Sequence, residues 1–366
     1  MIGAAISFII SLTVAKVIIY TGEAHSQLTL DHDLSGIQKM HETPVPRVGG
    51  GGIFVSLVFT ALYSANIGAV WSSFYAGLIT ALFFVFIGGL IEDLSKTVSP
   101  LIRMSFMLFA VLFAVLYAVY VSHSMPLIHH MGYQRINYIL RFDVISLFLT
   151  CFAVIGISNA YNIIDAFNGL STTAGVINII GLAYLAARVA DTMLLFISLS
   201  LIAATLGFLV FNYPKGKIFL GDGGSYSLGF MISLISLNLT EHYYYQISPY
   251  AVLLLAVYPF TETVFSIIRR KYIHKTKTMA PDNLHLHQLV FDRCLPRGLP
   301  LLRRNGGVMP IMLLFIIPQL FVVIFYYNSN AIMLLGLLFY VVFYVYIYMR
   351  LIKFNVPRWL VVKRIN

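Results

Sequence analysis

Charge is what this sequence has least of. Only 10% of its 366 residues are Asp, Glu, Lys or Arg while 59% are apolar, whereas an ordinary soluble domain is about 25% charged. A chain of this length cannot clothe a globule in hydrated side chains, and the disordered and DNA-binding readings fall with it. Cysteine is nearly absent: Cys151 in an apolar run and Cys294 in a polar loop give neither a disulfide framework nor a CxxC metal spacing, so both are expected unpaired. The first apolar run, Met1 to Tyr20, lacks the basic start of a signal peptide, its one charge being Lys16 near the far end, and is expected to remain as an uncleaved first span. Internal repeats and low-complexity tracts are missing, and no polar stretch is long enough to fold alone.

Long apolar runs are what remains, enough for about eleven spans of about 20 residues. The expected fold is therefore an all-α integral membrane protein, one polytopic domain over residues 1–366. Runs bounded by Gly, Pro or charge lie near 1–20, 51–70, 74–91, 103–121, 142–158, 172–187, 192–211, 225–240, 249–268, 308–326 and 331–350. An odd number of spans puts the termini on opposite sides. The segments 21–50, 92–103, 159–171, 212–224, 269–307 and 350–366, which share one side, gather 20 of the 24 Lys and Arg. The positive-inside rule makes that side cytoplasmic, with the N-terminus outside and the C-terminus inside. The net charge of +10 is thus mostly topological. Residues 269–307 hold nine basic residues, more than orientation needs, and are expected to form a basic cytoplasmic loop facing an anionic ligand or lipid.

Five polar groupings stand out, and all fall on that side. VPRVGGGG (45–52), preceded by Lys39 and His41, either lets backbone N–H groups approach an anion or supplies small residues for helix packing. GLIEDLSK (89–96) puts Glu92 and Asp93 at a helix C-terminus, against the dipole; Lys96 and Arg103, or a divalent cation, would compensate them. NAYNIIDAFNGLS (159–171) spaces Asn159, Asn162, Asp165 and Asn168 three apart, which on a helix covers half the circumference, so the helix is expected to end near Gly169. IFLGDGGS (218–225) opens a span with a glycine turn suited to phosphate, where Asp222 either binds through a bridging Mg²⁺ or caps the helix. PDNLHLHQ (281–288) sets two histidines in the basic stretch, with spacing too weak for zinc and surroundings suited to an anion. Together these describe a site for a metal-bound nucleotide diphosphate, placed where a soluble donor and a phosphorylated lipid can meet.

The five motifs, in this order, resemble the polyprenyl-phosphate N-acetylhexosamine-1-phosphate transferases of glycosyltransferase family 4, over about residues 39–292. The branch most similar is the bacterial initiators of O-antigen and related lipopolysaccharide glycans. The resemblance implies transfer of HexNAc-1-phosphate from a UDP-HexNAc to undecaprenyl phosphate in the cytoplasmic membrane, with release of UMP. It also implies Mg²⁺ (or Mn²⁺) as cofactor, no nucleic-acid partner, and allows a homodimer. Carried over by motif, Asp222 binds the metal with Asn162 as second ligand, while Phe219 stacks on uracil, Asn168 bonds the base and Gly221 lines the nucleotide. Asp93 positions the lipid phosphate beside the catalytic carboxylates of Glu92 and Asp165, and Lys39, Arg47, His285 and His287 hold phosphates. The sequence departs from the pattern at Glu92, where Asp is common, at Ala166 for Gly, at Asn168 for Asp, and at Gln288, where a further histidine is frequent. The rival class, a transporter or flippase of a phosphorylated solute or lipid, calls for charges near the midplane of the bilayer, and here they gather at one face.

Overall fold

The structure is a computed structural model, and it describes residues 1–31, 44–122, 126–274 and 284–361. The chain opens with α1 (Ile2–Tyr20) and a single-turn α2 (Ser26–Thr29), then pairs β1 (Leu30–Asp31) with β2 (Val45–Pro46) in a short antiparallel ladder. α3 (Gly50–Asn66), α4 (Ser72–Ser95) and α5 (Pro100–Ser122) follow, and a short α6 (Gln134–Leu140) precedes α7 (Asp143–Ile163), α8 (Leu170–Arg188), α9 (Thr192–Asn212) and α10 (Gly221–His242). α11 (Pro249–Leu255) and α12 (Val257–Ile268) are a bent pair prolonged by a π-helical turn at Arg269–His274. α13 (Leu286–Arg293), α14 (Leu301–Tyr326) and α15 (Asn330–Ile352) complete the bundle.

Local chemistry sets the ends. Asp191 caps α9 by accepting the Leu194 N–H at 2.8 Å, and Ser248 caps α11 ahead of Pro249 in its first turn. Lys96 turns left-handed (φ 56°) to stop α4, and Pro100 starts α5.

This is an all-α integral membrane protein. A helix or the bent pair occupies each of the eleven expected runs, but they are not eleven uniform spans. Among the described residues eight helices are long and apolar enough to cross a bilayer, or nine with α11 and α12, which bend by 77° where one straight span over 249–268 was expected. α3 is shorter, and α10 is too rich in Gly and Ser to be one of the eight. α10 tolerates that composition because 18 of its 22 residues are buried: its surroundings are other helices, not lipid.

Apolarity also mislocates helix ends, since polar residues facing protein do not stop a helix. α4 runs on through Glu92 and Asp93, and α7 through Asn159 and Asn162. The described residues of the expected loop 269–307 are largely helical, in the π-turn, in α13 and in α14, which begins at Leu301 rather than near 308.

Glycine contacts seat α10. A Cβ on Gly50 would lie 2.2 Å from the Gly224 Cα, and one on Gly89 2.4 Å from the Gly223 nitrogen, so α3 and α4 meet α10 backbone to backbone. We expect Gly50→Ala or Gly89→Ala to destabilise the protein by about 1–3 kcal/mol through forced separation of these helices. Gly156→Ala, with nothing within 4 Å of its Cβ, should leave the thermal midpoint in detergent unchanged or slightly raised.

Candidate active site

The crossing of α3, α4 and α10 brings the acids together. Asp93, buried in the last turn of α4, accepts the Asp222 N–H on Oδ1 (2.8 Å) and the Gly223 N–H on Oδ2 (2.9 Å). It thus caps α10 from another helix, and the N–H groups expected to await a phosphate are already paired there. Asp222 itself stands inside the helix, so it is not the cap. Its side chain points the other way, with Arg103 from α5 bonding Oδ2 at 2.8 Å and Tyr226 at 3.1 Å. Arg47 lies 3.6 Å from Asp222 and 3.7 Å from Asp93.

From α7, the Asn162 carboxamide reaches Asp222 Oδ1 at 3.0 Å and Ser225 Oγ at 2.9 Å. Asp165, just past the end of α7, completes the cluster. Burial, then the charge of Asp222, pushes its carboxyl well above the usual carboxylate range, and Arg47 opposes them. Three carboxylates thus face two guanidiniums at one end of the bundle.

Other expected site residues have structural partners. Glu92 accepts the Val98 N–H at 2.8 Å, closing the turn to α5, and its charge also reaches Arg103. Asn159 bonds its own helix at Ile155. The helix holding these residues ends at Ile163, and Gly169 (φ 77°) instead precedes α8. Asn168 is buried, with its amide on the Pro214 carbonyl (3.0 Å) and its N–H on Asn305 (2.8 Å). Gly221 adopts φ 76° where a Cβ would strike the Arg47 carbonyl oxygen at 1.9 Å. Phe219 runs beside the first motif, its N–H on the Pro46 carbonyl at 2.8 Å and its own carbonyl taking the Gly49 N–H at 3.0 Å. Of the two readings of the glycine run, the packing one accounts for Gly49 and Gly50. Lys39 lies outside the described residues.

The histidines gather around a residue that the sequence did not single out. Glu262, buried in α12, holds His285 Nδ1 at 2.9 Å and takes the Leu286 N–H at 3.2 Å. His287 stacks on His285 with ring centres 5.3 Å apart, bonds the Tyr258 hydroxyl at 3.0 Å, and meets Phe167 edge-on at 5.7 Å. The pair therefore borders the 165–168 corner. Arg269, buried under Tyr348, bonds the Leu284 carbonyl and ties the end of α12 to the start of this segment, so this member of the basic stretch is spent on structure. An almost wholly apolar cavity of about 200 Å³ between α7, α10 and α11 shares none of these residues.

Among the described residues no three His, Cys, Asp or Glu side chains are grouped to hold a metal by themselves. The donor chemistry nonetheless fits Mg²⁺, which takes one or two carboxylates and leaves its other positions to water and substrate phosphates. Asp222 Oδ1 meets the Asn162 carboxamide and Ser225 Oγ, and with the carboxamide turned over its oxygen faces the same point.

Fold and cluster define a polytopic membrane protein with a carboxylate and guanidinium site of the kind that handles phosphates. Comparison with known proteins is specific. The glycosyl transferase family 4 model matches residues 75–240. The chain is 28% identical over 293 residues to a probable undecaprenyl-phosphate N-acetylglucosaminyl 1-phosphate transferase of Bacillus subtilis, covering 78% of this chain and 77% of that protein. It is 30% identical over 232 residues to a phospho-N-acetylmuramoyl-pentapeptide-transferase of Streptococcus agalactiae, covering 57% and 66%. A transferase of the latter name from Streptococcus thermophilus is 26% identical over 264 residues, covering 66% and 73%. The chain thus resembles glycosyl transferase family 4 over residues 75–240, and resembles these transferases over a longer stretch.

Two outcomes test this geometry. Asp93→Ala strands two backbone donors, each worth about 1–3 kcal/mol when left buried and unpaired, so the thermal midpoint should fall well below that of Glu92→Ala, whose single bond closes an exposed turn. Burial pushes the His287 imidazole down to about 3 from its ordinary 6.5. The unfolded chain then binds a proton that the folded one refuses, so stability drops as pH falls below about 6.5 and the loss is complete near 3. The midpoint should decline from about pH 7 to about pH 5 less steeply in His287→Gln than in the parent.

Proposed function

We propose that this protein transfers HexNAc-1-phosphate from UDP-HexNAc to undecaprenyl phosphate at the cytoplasmic face of the bacterial inner membrane, the first step of a cell-surface glycan. The observation that carries this reading is the gathering of Asp93, Asp165 and Asp222 with Arg47 and Arg103 at one end of a membrane bundle. An oxygen of the acceptor phosphate bonds to the sugar-bearing phosphorus while the bridging oxygen leaves with UMP. Such an in-line exchange asks for alignment and neutralised oxygens more than for a covalent intermediate.

Each residue then has a defined task. Asp222, with Asn162 as second donor, would hold Mg²⁺, which supplies positive charge to the diphosphate and the departing UMP. Arg103 and Arg47 hold the acids while the site is empty and turn to phosphate oxygens when it fills. Asp93 keeps the 221–223 turn in place, a role through backbone that supports the lipid-phosphate site from behind. Asp165, whose carboxyl burial pushes above the usual range, borders the phosphates from the end of α7. Lys39, His285 and His287 contact phosphates, and Phe219 stacks on uracil. The Asn168 amide hydrogens face Pro214, so its contact with the base is through Oδ1, accepting a uracil N–H. The basic connections then lie in the cytoplasm, with the N-terminus outside.

Purified protein with undecaprenyl phosphate, Mg²⁺ and a panel of UDP-HexNAc donors should release UMP, and chelation should stop it. Asp222→Ala should abolish release at an unchanged thermal midpoint, and Arg103→Ala should lower kcat about 100-fold by removing one charge from the transition state. UMP release without the lipid acceptor, or undiminished by Asp222→Ala, would contradict the assignment.

A further inference from the structure

Glu262 is fully buried in a helix that turns by 77° from the one before it, and a carboxylate in such a place needs a purpose and a partner. Most of its partners come from one segment, and the Tyr344 hydroxyl of α15 lies against it as well. Oε1 lies 2.9 Å from His285 Nδ1, and the Leu286 N–H donates to both oxygens, at 3.3 and 3.2 Å. Since a carboxylate only accepts, the proton between Glu262 and His285 is on Nδ1, and the ring's other nitrogen is fixed in direction and in tautomer. The His285 N–H is meanwhile taken by Gln288 Oε1 at 3.1 Å, which stiffens the same turn.

The second histidine is held through the first. Its ring lies within 3° of parallel to His285, and its Nδ1 faces the Tyr258 hydroxyl one helical turn before Glu262. Glu262 Oε2 is 4.0 Å away, too far for a hydrogen bond but close enough to bias charge. With Tyr258 donating to Nδ1, His287 carries its proton on Nε2. That atom is buried and is without a partner in the protein, a donor waiting for something to accept from it. The ring edge meets Phe167, between Asp165 and Asn168.

We propose that Glu262 is a positioning residue, holding His285 directly and His287 through it so that their remaining ring nitrogens meet the donor diphosphate. This rests on the transferase reading, in which those histidines contact phosphate. Glu262 touches no substrate: it acts as the carboxylate behind a liganding histidine, fixing orientation and proton. Loss of such a partner costs about 10- to 100-fold in affinity or activity. The isosteric Glu262→Gln turns an amide N–H₂ toward either His285 Nδ1 or the Leu286 N–H, so one of the two bonds becomes a clash of donors.

The test is a double-mutant cycle on full-length protein in detergent, following UMP release with KM for the UDP-HexNAc and kcat read separately. Glu262→Gln is expected to raise KM about 10- to 100-fold, and His285→Gln to do the same. The double variant should be no worse than either single one, because Glu262 works only through the histidine. Additive losses in the double variant, or a lower kcat at unchanged KM, overturn the proposal. Should Glu262→Gln not fold, Tyr258→Phe frees His287 while keeping the packing and must raise KM at an unchanged thermal midpoint; an unmoved KM overturns the proposal as well. Failure of the transferase reading is seen separately, since the parent protein would then release no UMP with any donor, and the positioning role would fall with it.

Discussion

One contact governs the rest of this site: the Asp93 carboxylate on the first N–H groups of α10. A helix N-terminus carries partial positive charge and orphan donors, and burying one in a bundle without partners is costly. Asp93 settles both debts from a neighbouring helix, and in doing so fixes the height of α10 against α4. The Gly89 to Gly223 and Gly50 to Gly224 approaches are what allow the carboxylate to reach, since any Cβ there would hold the helices apart. Asp222 follows by continuity: with its own N–H tied down, its side chain has one direction to take, toward Arg103, Arg47 and Asn162.

Charge balance is the second constraint. Three carboxylates gathered in a partly buried cleft repel one another, and the structure limits that repulsion with two arginines. Arg103 and Arg47 come from segments before α4 and after it, so their charges approach Asp222 from different sides. Phosphate ligands and guanidiniums compete for little else here, and an arriving anion with its own cation finds partners for both signs without leaving a charge unpaired.

The sequence made the helices legible because lipid demands apolar runs, and the eleven runs sit where helices are found. Asp93, Asn162, Asp165, Asp222 and Arg47 were legible too, since acids, amides and an arginine beside glycine turns are rare in such runs, and the structure brings these five together. What the composition hid are pairings across distant segments. Arg103 was expected to balance the Glu92–Asp93 pair; it does feel the charge of Glu92, but its hydrogen bond crosses to Asp222, while Glu92 accepts from the turn to α5. The glycine runs could be read as anion cradles or, at 49–52, as packing surfaces; they serve close helix packing, with Asp93 and the carbonyls of Phe219 and Leu220 taking N–H groups of these runs. Glu262 left a faint signal, a lone carboxylate inside an apolar run, and a sequence cannot show that its partners lie more than twenty residues on.

The bend between α11 and α12 falls at Pro259, which has no N–H to give the Leu255 carbonyl where α11 ends. The break after Leu255 turns α12 toward the segment that supplies His285 and the Leu286 N–H, and Arg269 at its far end closes the loop by binding Leu284. The bend, the buried acid and the histidine pair thus form one connected patch. Its two ends are anchored in the same helix, while His287 rests on the corner that carries Asp165 and Asn168. Packing at the bend and geometry at the polar cluster are therefore linked through a short chain of contacts, from Glu262 through the stacked imidazoles to Phe167.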